Sequence, residues 1–292
     1  MELLPPELLQ RIGLLLEHTD RLNFCLVCTR IFSVLENFLP RPSRVRVQIG
    51  NCPATARVHD SESSLFLCQC NHHDTQSLVL YIFPRLMSNA TSLELEDELA
   101  RGRITDDHLY ELLCRCDCAP LNRLALSNCD FLAVKPWTLA QLAQFNRLHE
   151  IIFDGCKFPL PESYIVRGIA PSFSTLWRLE INDNFQVTDK LSRSVARCCP
   201  NLEIFCVSGC PLISALSALA LMETAFFRVS QMLTVHVERT SFDVDQLNRF
   251  IHSPLFAFQN EWRLTPAVVR LGYEKLAVLA EHKKSVCVLI YI

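Results

Sequence analysis

The stretch LEIFCVSGC, Leu202–Cys210, has apolar residues at its first, fourth and sixth positions and a cysteine at its ninth. The same template, L-x-x-L-x-L-x-x-C, begins at Leu121, Leu148 and Leu176, with cysteine twice and asparagine once at the ninth position. Copies that start 26 to 28 residues apart are typical of a repeat protein.

Weaker copies extend the pattern in both directions. Leu93 and Leu95 fit the rhythm before the first clear copy, and MLTVHVERT from Met232 fits after the last. A copy at Trp262 and Leu264 is the weakest of all, and the final VCVLIYI predicts a last strand.

The segments between the copies carry helix signals. In VTDKLSRSVARCCPNL, Thr188 or Asp189 can cap a helix, Val195 and Ala196 face inwards, and Pro200 ends it. A unit of strand, turn and returning helix buries its apolar face only by stacking on another copy. The sequence therefore predicts an α/β solenoid with parallel strands on its concave face and helices on its convex face.

The template resembles the cysteine-containing subclass of leucine-rich repeats, whose signature is roughly C-P-x-L-x-x-L-x-L-x-x-C-x-x-I-T-D. CPNLEIFCVSGCPLI, Cys199–Ile213, is the closest copy, and the resemblance is clear from about Ala90 to Ser241. Cysteine or asparagine at the ninth position is expected to lie under a tight turn and to satisfy backbone groups there.

Alternate side chains of the template point away from the core. They form a mixed, slightly acidic set, which suits a protein substrate with a basic or polar recognition segment. The alternative is a solvated sheet with no partner. The candidate substrate-binding residues are Arg123, Glu150, Asp154, Arg178, Glu180, Asn182, His236 and Glu238.

The first forty residues contain two helical patterns. Pro5 and Pro6 followed by Glu7 begin the first helix. The pattern breaks at residues 18–20, and the second helix is predicted to carry one apolar stripe of Phe24, Val27, Cys28, Ile31 and Leu35. Cys25 lies three residues before Cys28 and is predicted to point roughly the same way. A module this short buries little by itself, so it is expected to complete its core against a partner.

This segment resembles the F-box along its whole length. F-boxes typically read L-P-x-E-L-L-x-x-I, then a D-L pair, then L-V-C-K-R-W. Here the motif begins at Leu4, and the departures are Arg21 after the aspartate, Thr29 for lysine and Ile31 for tryptophan. The missing tryptophan is expected to weaken adaptor affinity.

An F-box followed by such repeats is the arrangement of substrate receptors of Skp–cullin–F-box ubiquitin ligases. The resemblance implies a non-catalytic receptor that binds the Skp adaptor, and through it a cullin–RING ligase, and that presents a protein substrate for ubiquitination and proteasomal degradation. The implied adaptor-binding residues are Leu4, Pro5, Leu8, Leu9, Ile12, Leu26, Val27 and Cys28.

Composition argues against several other classes of protein. Only seven of 292 residues are glycine and no phosphate-binding glycine motif occurs, which disfavours a nucleotide-dependent enzyme. The net charge of −3 gives no reason to expect nucleic acid or an anionic membrane. The opening MELLPPELLQ is not a secretory signal, so the fifteen cysteines predict a cytoplasmic or nuclear protein with reduced thiols.

Two alternatives remain beside the receptor hypothesis. Cys68, Cys70, His72 and His73 suggest zinc, but all four lie closer together than ligands of usual zinc sites, so no metal or other cofactor is expected. The N-terminal helices could instead only cap a repeat scaffold without a ligase role. The predicted boundaries are 1–41 for the F-box, 42–61 for a linker or capping strand, and 62–292 for the repeats.

Overall fold

The computed structural model describes residues 4–25, 27–39, 43–49, 64–69, 89–97, 106–115, 120–129, 135–156, 161–229, 232–253, 262–270, 274–282 and 286–292. The chain forms two compact units, Met1–Asp130 and Phe131–Ile292. This division falls inside the predicted repeat segment, and the domain boundaries expected from the sequence stay a prediction.

The first unit begins with three short helices: α1, Pro6–Leu15; α2, His18–Cys25; and α3, Thr29–Leu35, followed by a 3-10 turn at Glu36–Phe38. The prediction of one continuous second helix is wrong. Cys25 ends α2, whereas Cys28 is the extended residue before α3, so the two thiols do not share a helix face. The break lets α3 turn back and bury Phe32 and Leu35 in the core that also holds Leu9.

Arg21, one of the departures from the F-box pattern, holds this module together. Its Nε donates to the carbonyl of Gly13 at 2.8 Å, and its two Nη atoms donate to the carbonyls of Leu16 at 3.0 Å and Phe38 at 3.1 Å. The last carbonyls of a helix lack partners within the helix. Arg21 therefore caps α1 and ties it to the turn after α3.

The rest of the first unit is a parallel sheet with one described helix, α4, Asp106–Arg115. Its strands are β1, Arg44–Ile49; β2, Ser64–Gln69; β3, Ser92–Asp97; and β4, Arg123–Ser127, in the order β2-β1-β3-β4. The segment predicted as a linker or capping strand thus contains β1, which lies between two other strands. Leu93 pairs with Leu124 and Leu95 with Leu126, so this weaker copy is in phase with the template.

The second unit repeats the pattern of strand and helix. Its first four strands are β5, Glu150–Asp154; β6, Arg178–Ile181; β7, Ile204–Cys206; and β8, Met232–His236. The described helices are α5, Pro136–Ala140; α6, Glu162–Ile169; α7, Asp189–Cys198; α8, Ala215–Thr224; and α9, Val244–Ile251. Leu179, Phe205 and Val235, all at the fourth template position, are aligned across β6, β7 and β8, which confirms the phase of these copies.

The last thirty residues depart from this pattern. They form β9, Trp262–Arg270; β10, Glu274–His282; and β11, Val286–Tyr291, and the strand order is β5-β6-β7-β8-β11-β10-β9. The prediction of a further parallel copy at Trp262 is wrong, because β9 runs antiparallel to β10. The strand predicted from VCVLIYI is confirmed, but it lies beside β8 rather than at the end of the sheet. The predicted α/β class is confirmed, with mostly parallel strands.

The template places a left-handed residue at its eighth position. Asn128, Gly155, Asp183, Gly209 and Arg239 have φ values between 52° and 70°. Asparagine, aspartate and glycine tolerate this conformation better than other residues do. At Gly209 a side chain is also excluded by space, because a Cβ there would lie 1.9 Å from an Asp183 carboxylate oxygen.

The side chain at the ninth position satisfies backbone groups, as predicted. The Sγ of Cys129 donates to the carbonyl of Ser127 at 3.3 Å, and that of Cys210 donates to Ile181 at 3.1 Å. Asn184 reaches the preceding copy, donating from Nδ2 to the Cys156 carbonyl at 3.1 Å. These side chains are buried, so each replaces water at a turn.

The first residues of α6 and α7 are acidic, and each accepts hydrogen bonds from residues at the start of the following helix. Glu162 accepts from the backbone N–H of Thr188 at 2.8 Å and from its hydroxyl at 2.6 Å. Asp189 accepts from the backbone N–H of Ser214 at 2.9 Å, from its hydroxyl at 2.7 Å, and from the hydroxyl of Ser217 at 2.5 Å. Thr188 caps α7 itself, so the role of Asp189 lies between two copies of the repeat rather than within one.

Candidate functional surfaces

An apolar stripe runs along α1. Leu8, Ile12 and Leu15 follow helical spacing and are 43%, 39% and 87% exposed. On the neighbouring side of the same helix, Leu9 and Gly13 are buried against the module. We call Leu8, Ile12 and Leu15 the α1 stripe. It is apolar surface that the helical module does not cover.

The other predicted adaptor-binding residues divide by exposure. Val27 is 57% exposed in the turn between α2 and α3, Pro5 is exposed, and Leu4 and Cys28 are half-buried. The prediction that Leu9 contacts the adaptor is wrong. Leu9 is fully buried in the core of the module because α3 packs over its side of α1, so it offers no surface to a partner. Leu26 lies outside the described residues.

A second surface is the sheet side of the second unit that carries the alternate template positions. Parallel register aligns Glu150, Arg178, Ile204 and Thr234 in one row, and Ile152, Glu180, Cys206 and His236 in the next. We call this surface the repeat face. The predicted residues that it brings together are Glu150, Asp154, Arg178, Glu180, Asn182, His236 and Glu238.

Charged side chains on the repeat face are held by one another. Arg178 donates to Glu180 within the same strand, with Nη2 2.5 Å and Nε 2.7 Å from one carboxylate oxygen. Glu238 accepts from the hydroxyl of Ser208 at 2.5 Å, and its other oxygen lies 3.6 Å from Nδ1 of His236. These contacts fix the carboxylates in place and leave the face acidic between β5 and β8.

The sequence did not single out Tyr291 for this surface. Its ring stacks on His236 with centroids 4.5 Å apart and planes 5° from parallel. The alternation in VCVLIYI indicates a strand but not its neighbour, so the position of Tyr291 beside His236 has no local signal.

Arg123, the remaining predicted substrate-binding residue, lies in the first unit. Its Nη2 is 3.1 Å from Glu94, and Arg46 on the adjacent strand lies 2.6 Å from Glu96. These are the same alternate positions on β1, β3 and β4. They form exposed and half-exposed ion pairs, which contribute little to stability.

Several cysteines are protonated, packed thiols. Burial raises the pKa of Cys25, Cys199 and Cys210 to about 12 in each case, although Arg21 opposes this at Cys25 and Arg228 at Cys199. A thiol with such a pKa is almost wholly protonated at neutral pH and is a poor nucleophile and metal ligand. Of the residues considered for zinc, Cys70, His72 and His73 lie outside the described residues.

A groove of about 250 Å³ lies on the helix side of the second unit, between α7 and α8. Arg193 and Arg197 flank an apolar floor that includes Ala196 and Ala220, and Glu223 is the acid in its lining. None of the predicted adaptor-binding, substrate-binding or metal-ligating residues lines it.

Within the ranges that the structure describes, no helix combines the length and apolar character needed to cross a bilayer. No family model matches the chain, and no curated protein matches it.

Proposed function

We propose that the chain is a substrate-recognition subunit of a Skp–cullin–F-box-type ubiquitin ligase. The N-terminal helices act as the F-box, and a leucine-rich-repeat solenoid follows them. The protein is then a non-catalytic receptor that acts in the cytoplasm, the nucleus or both. Its mechanism is proximity, because tethering a substrate near a charged conjugating enzyme raises the effective concentration of the acceptor lysine.

The α1 stripe carries this proposal. A short helix with one side packed and an adjacent apolar side exposed is a surface that a partner covers. Its residues belong to the segment that resembles the F-box, together with Pro5 and Val27. The Skp adaptor is therefore the partner proposed for the stripe, and the repeat face is proposed for the substrate.

The test is co-purification with the Skp adaptor after co-expression. Replacing Leu8→Asp and Ile12→Asp together places two charges on the stripe and is expected to abolish binding. Leu14→Asp is the matched control, because Leu14 is 45% exposed on the same helix but points away from Ile12. Equal adaptor binding by the double variant and the wild type, with both folded by circular dichroism, would exclude the proposed docking mode.

A second candidate function is a repeat scaffold in which the helices serve as a cap. The placement of the helices in one compact unit with β1 to β4 favours it. Deletion of residues 1–41 separates the two functions. A scaffold is expected to lose solubility or thermal stability, whereas the repeats of a receptor are expected to stay folded and to keep binding the substrate.

A further inference from the structure

The repeat face continues beyond β8 onto the antiparallel strands. Thr234 pairs with Leu289 on β11, which pairs with Leu279 on β10. Because paired residues point to the same side of a sheet, one row crosses six strands. In order it contains Glu150, Arg178, Ile204, Thr234, Leu289 and Leu279.

One end of the repeat face is acidic. Glu150 and Asp154 lie on β5, and Glu180 lies on β6. The one basic side chain among the described face positions of these two strands is Arg178, which is paired with Glu180. The exposed carboxylate of Asp154 lies beside this pair and adds negative charge, which favours a basic side chain from a partner.

At the other end of the repeat face the row is apolar, and the exposed Glu281 lies in the neighbouring row, paired with Cys287. Ile204, Leu289 and Leu279 are half-exposed along the row, and Met232 beside them is 49% exposed. Met232 belongs to this face because it is two residues before Thr234 on β8 and pairs with Cys287. An aliphatic or aromatic side chain from a partner would bury this surface.

The floor between the two ends is ordered by its own contacts. His236 is stacked on Tyr291, and Glu238 is held by Ser208. Because these side chains are already fixed, a partner that binds across them costs the protein little further side-chain entropy.

The spacing of the strands fixes the spacing of the two ends. Neighbouring strands lie about 4.8 Å apart, so β6 and β11, three steps apart in the strand order, are separated by roughly 14 Å, and β5 and β11 by roughly 19 Å. An extended chain advances about 3.3 Å per residue and covers these distances with about four to six residues.

We propose that the repeat face binds an extended protein segment in which basic side chains lie about five residues from a large apolar side chain. The basic residues contact the carboxylates of β5 and β6, and the apolar residue contacts Leu289 and Leu279. This inference rests on the proposed function in one respect: the segment belongs to the substrate.

Fluorescence anisotropy on the full chain tests the segment directly. The probes are labelled peptides with two arginines and one phenylalanine, separated by spacers of about two, five and nine serine and glycine residues. The middle spacer is expected to bind about tenfold more tightly than the two-residue spacer, which is too short to span the two ends, and about two- to threefold more tightly than the nine-residue spacer. The same peptide with glutamates for arginines is expected not to bind. Equal affinity for all spacers, or no binding by any of them, overturns the proposal.

Substitutions at each end of the repeat face test which side chains of the peptide bind there. Leu289→Ser is expected to weaken the middle-spacer peptide about tenfold and to remove the spacer preference. Glu150→Gln with Asp154→Asn is expected to weaken every basic peptide and to reduce the salt dependence of binding. The matched control is Glu223→Gln, which removes a carboxylate from exposed α8 surface and is expected to change nothing.

Two measurements separate this proposal from the proposed function. The Leu8→Asp, Ile12→Asp variant is expected to bind the peptides as the wild type does, whether or not the wild type binds the adaptor. Light scattering reports self-association. A dimer that Leu289→Ser dissociates would mean that a second copy of the chain, rather than a substrate segment, covers the face, and it would overturn the proposal.

Discussion

Replacing Asp189 by alanine tests whether the second unit is stabilised by contacts between copies of the repeat. The change removes the acceptor for the backbone N–H and hydroxyl of Ser214 and for the hydroxyl of Ser217, which is fully buried. A hydrogen bond to a charged acceptor contributes about 1.5 to 3 kcal/mol, and the hydroxyls can partly find other acceptors. We therefore expect the free energy of unfolding to fall by about 2 to 4 kcal/mol.

The matched control is Asp245→Ala. Asp245 has the same position in the template, counted from Met232 instead of Leu176, and likewise lies in the first turn of its helix. Its side chain is exposed. Both variants lose a favourable acid at a helix N-terminus, worth about 0.5 kcal/mol. The difference between them isolates the contact between copies.

Urea unfolding followed by tryptophan fluorescence measures this difference. The three tryptophans, Trp137, Trp177 and Trp262, all lie in the second unit, so the signal reports on that unit. With a slope of about 2 kcal/mol per molar urea, Asp189→Ala is expected to lower the midpoint by about 1 to 2 M. Midpoints of the two variants that agree within error would refute the reasoning, because Asp189 would then act only on its own helix.

Four further predictions concern individual side chains. Gly209→Ala is expected to destabilise the second unit by about 2 kcal/mol or more, since it combines a left-handed backbone with a Cβ against Asp183; an unchanged urea midpoint would contradict this. Cys28→Ser is expected to weaken adaptor binding modestly, by calorimetry, and to leave metal content unchanged, by mass spectrometry. Exposed Cys198 is expected to react with a disulfide reagent much faster than buried Cys199 in the native chain, and equal rates would count against the packing. Because burial raises the pKa of Cys199 from 9.0 to about 12, the unfolded chain loses its proton first, and the free energy of unfolding is expected to fall as pH rises from 9 towards 12.

The register of the repeats could be predicted from the sequence because it depends on one number, the period of the template. Apolar residues that recur at a fixed offset must align once the strands pair in parallel, as Leu179 and Phe205 do. The left-handed eighth position had a visible signal in Asn128, Asp183 and two glycines. Arg239 at the same position shows that the turn is imposed by its neighbours as well as by its residue type.

Other features depend on contacts that no local pattern contains. Alternation in β9 and β11 predicts strands equally well in either direction, so the antiparallel ending and the place of Tyr291 could not be foreseen. The break between α2 and α3 has no glycine or proline to mark it. It exists because a folded-back α3 buries Ile31 and Phe32, which a continuous helix would expose.

The links between copies and the contacts on the repeat face involve different side chains. Stacking depends on helix-side and turn groups such as Asp189 with Ser214, and on Asn201, which donates to the carbonyl of Ser174 at 2.6 Å. The face is held by pairs within itself, Arg178 with Glu180 for example. Substitutions far apart and without shared partners change stability additively. Half-exposed face residues such as Glu150 and Leu289 should therefore change what the surface binds at little cost to the fold, whereas Asp189 should change the fold before it changes binding.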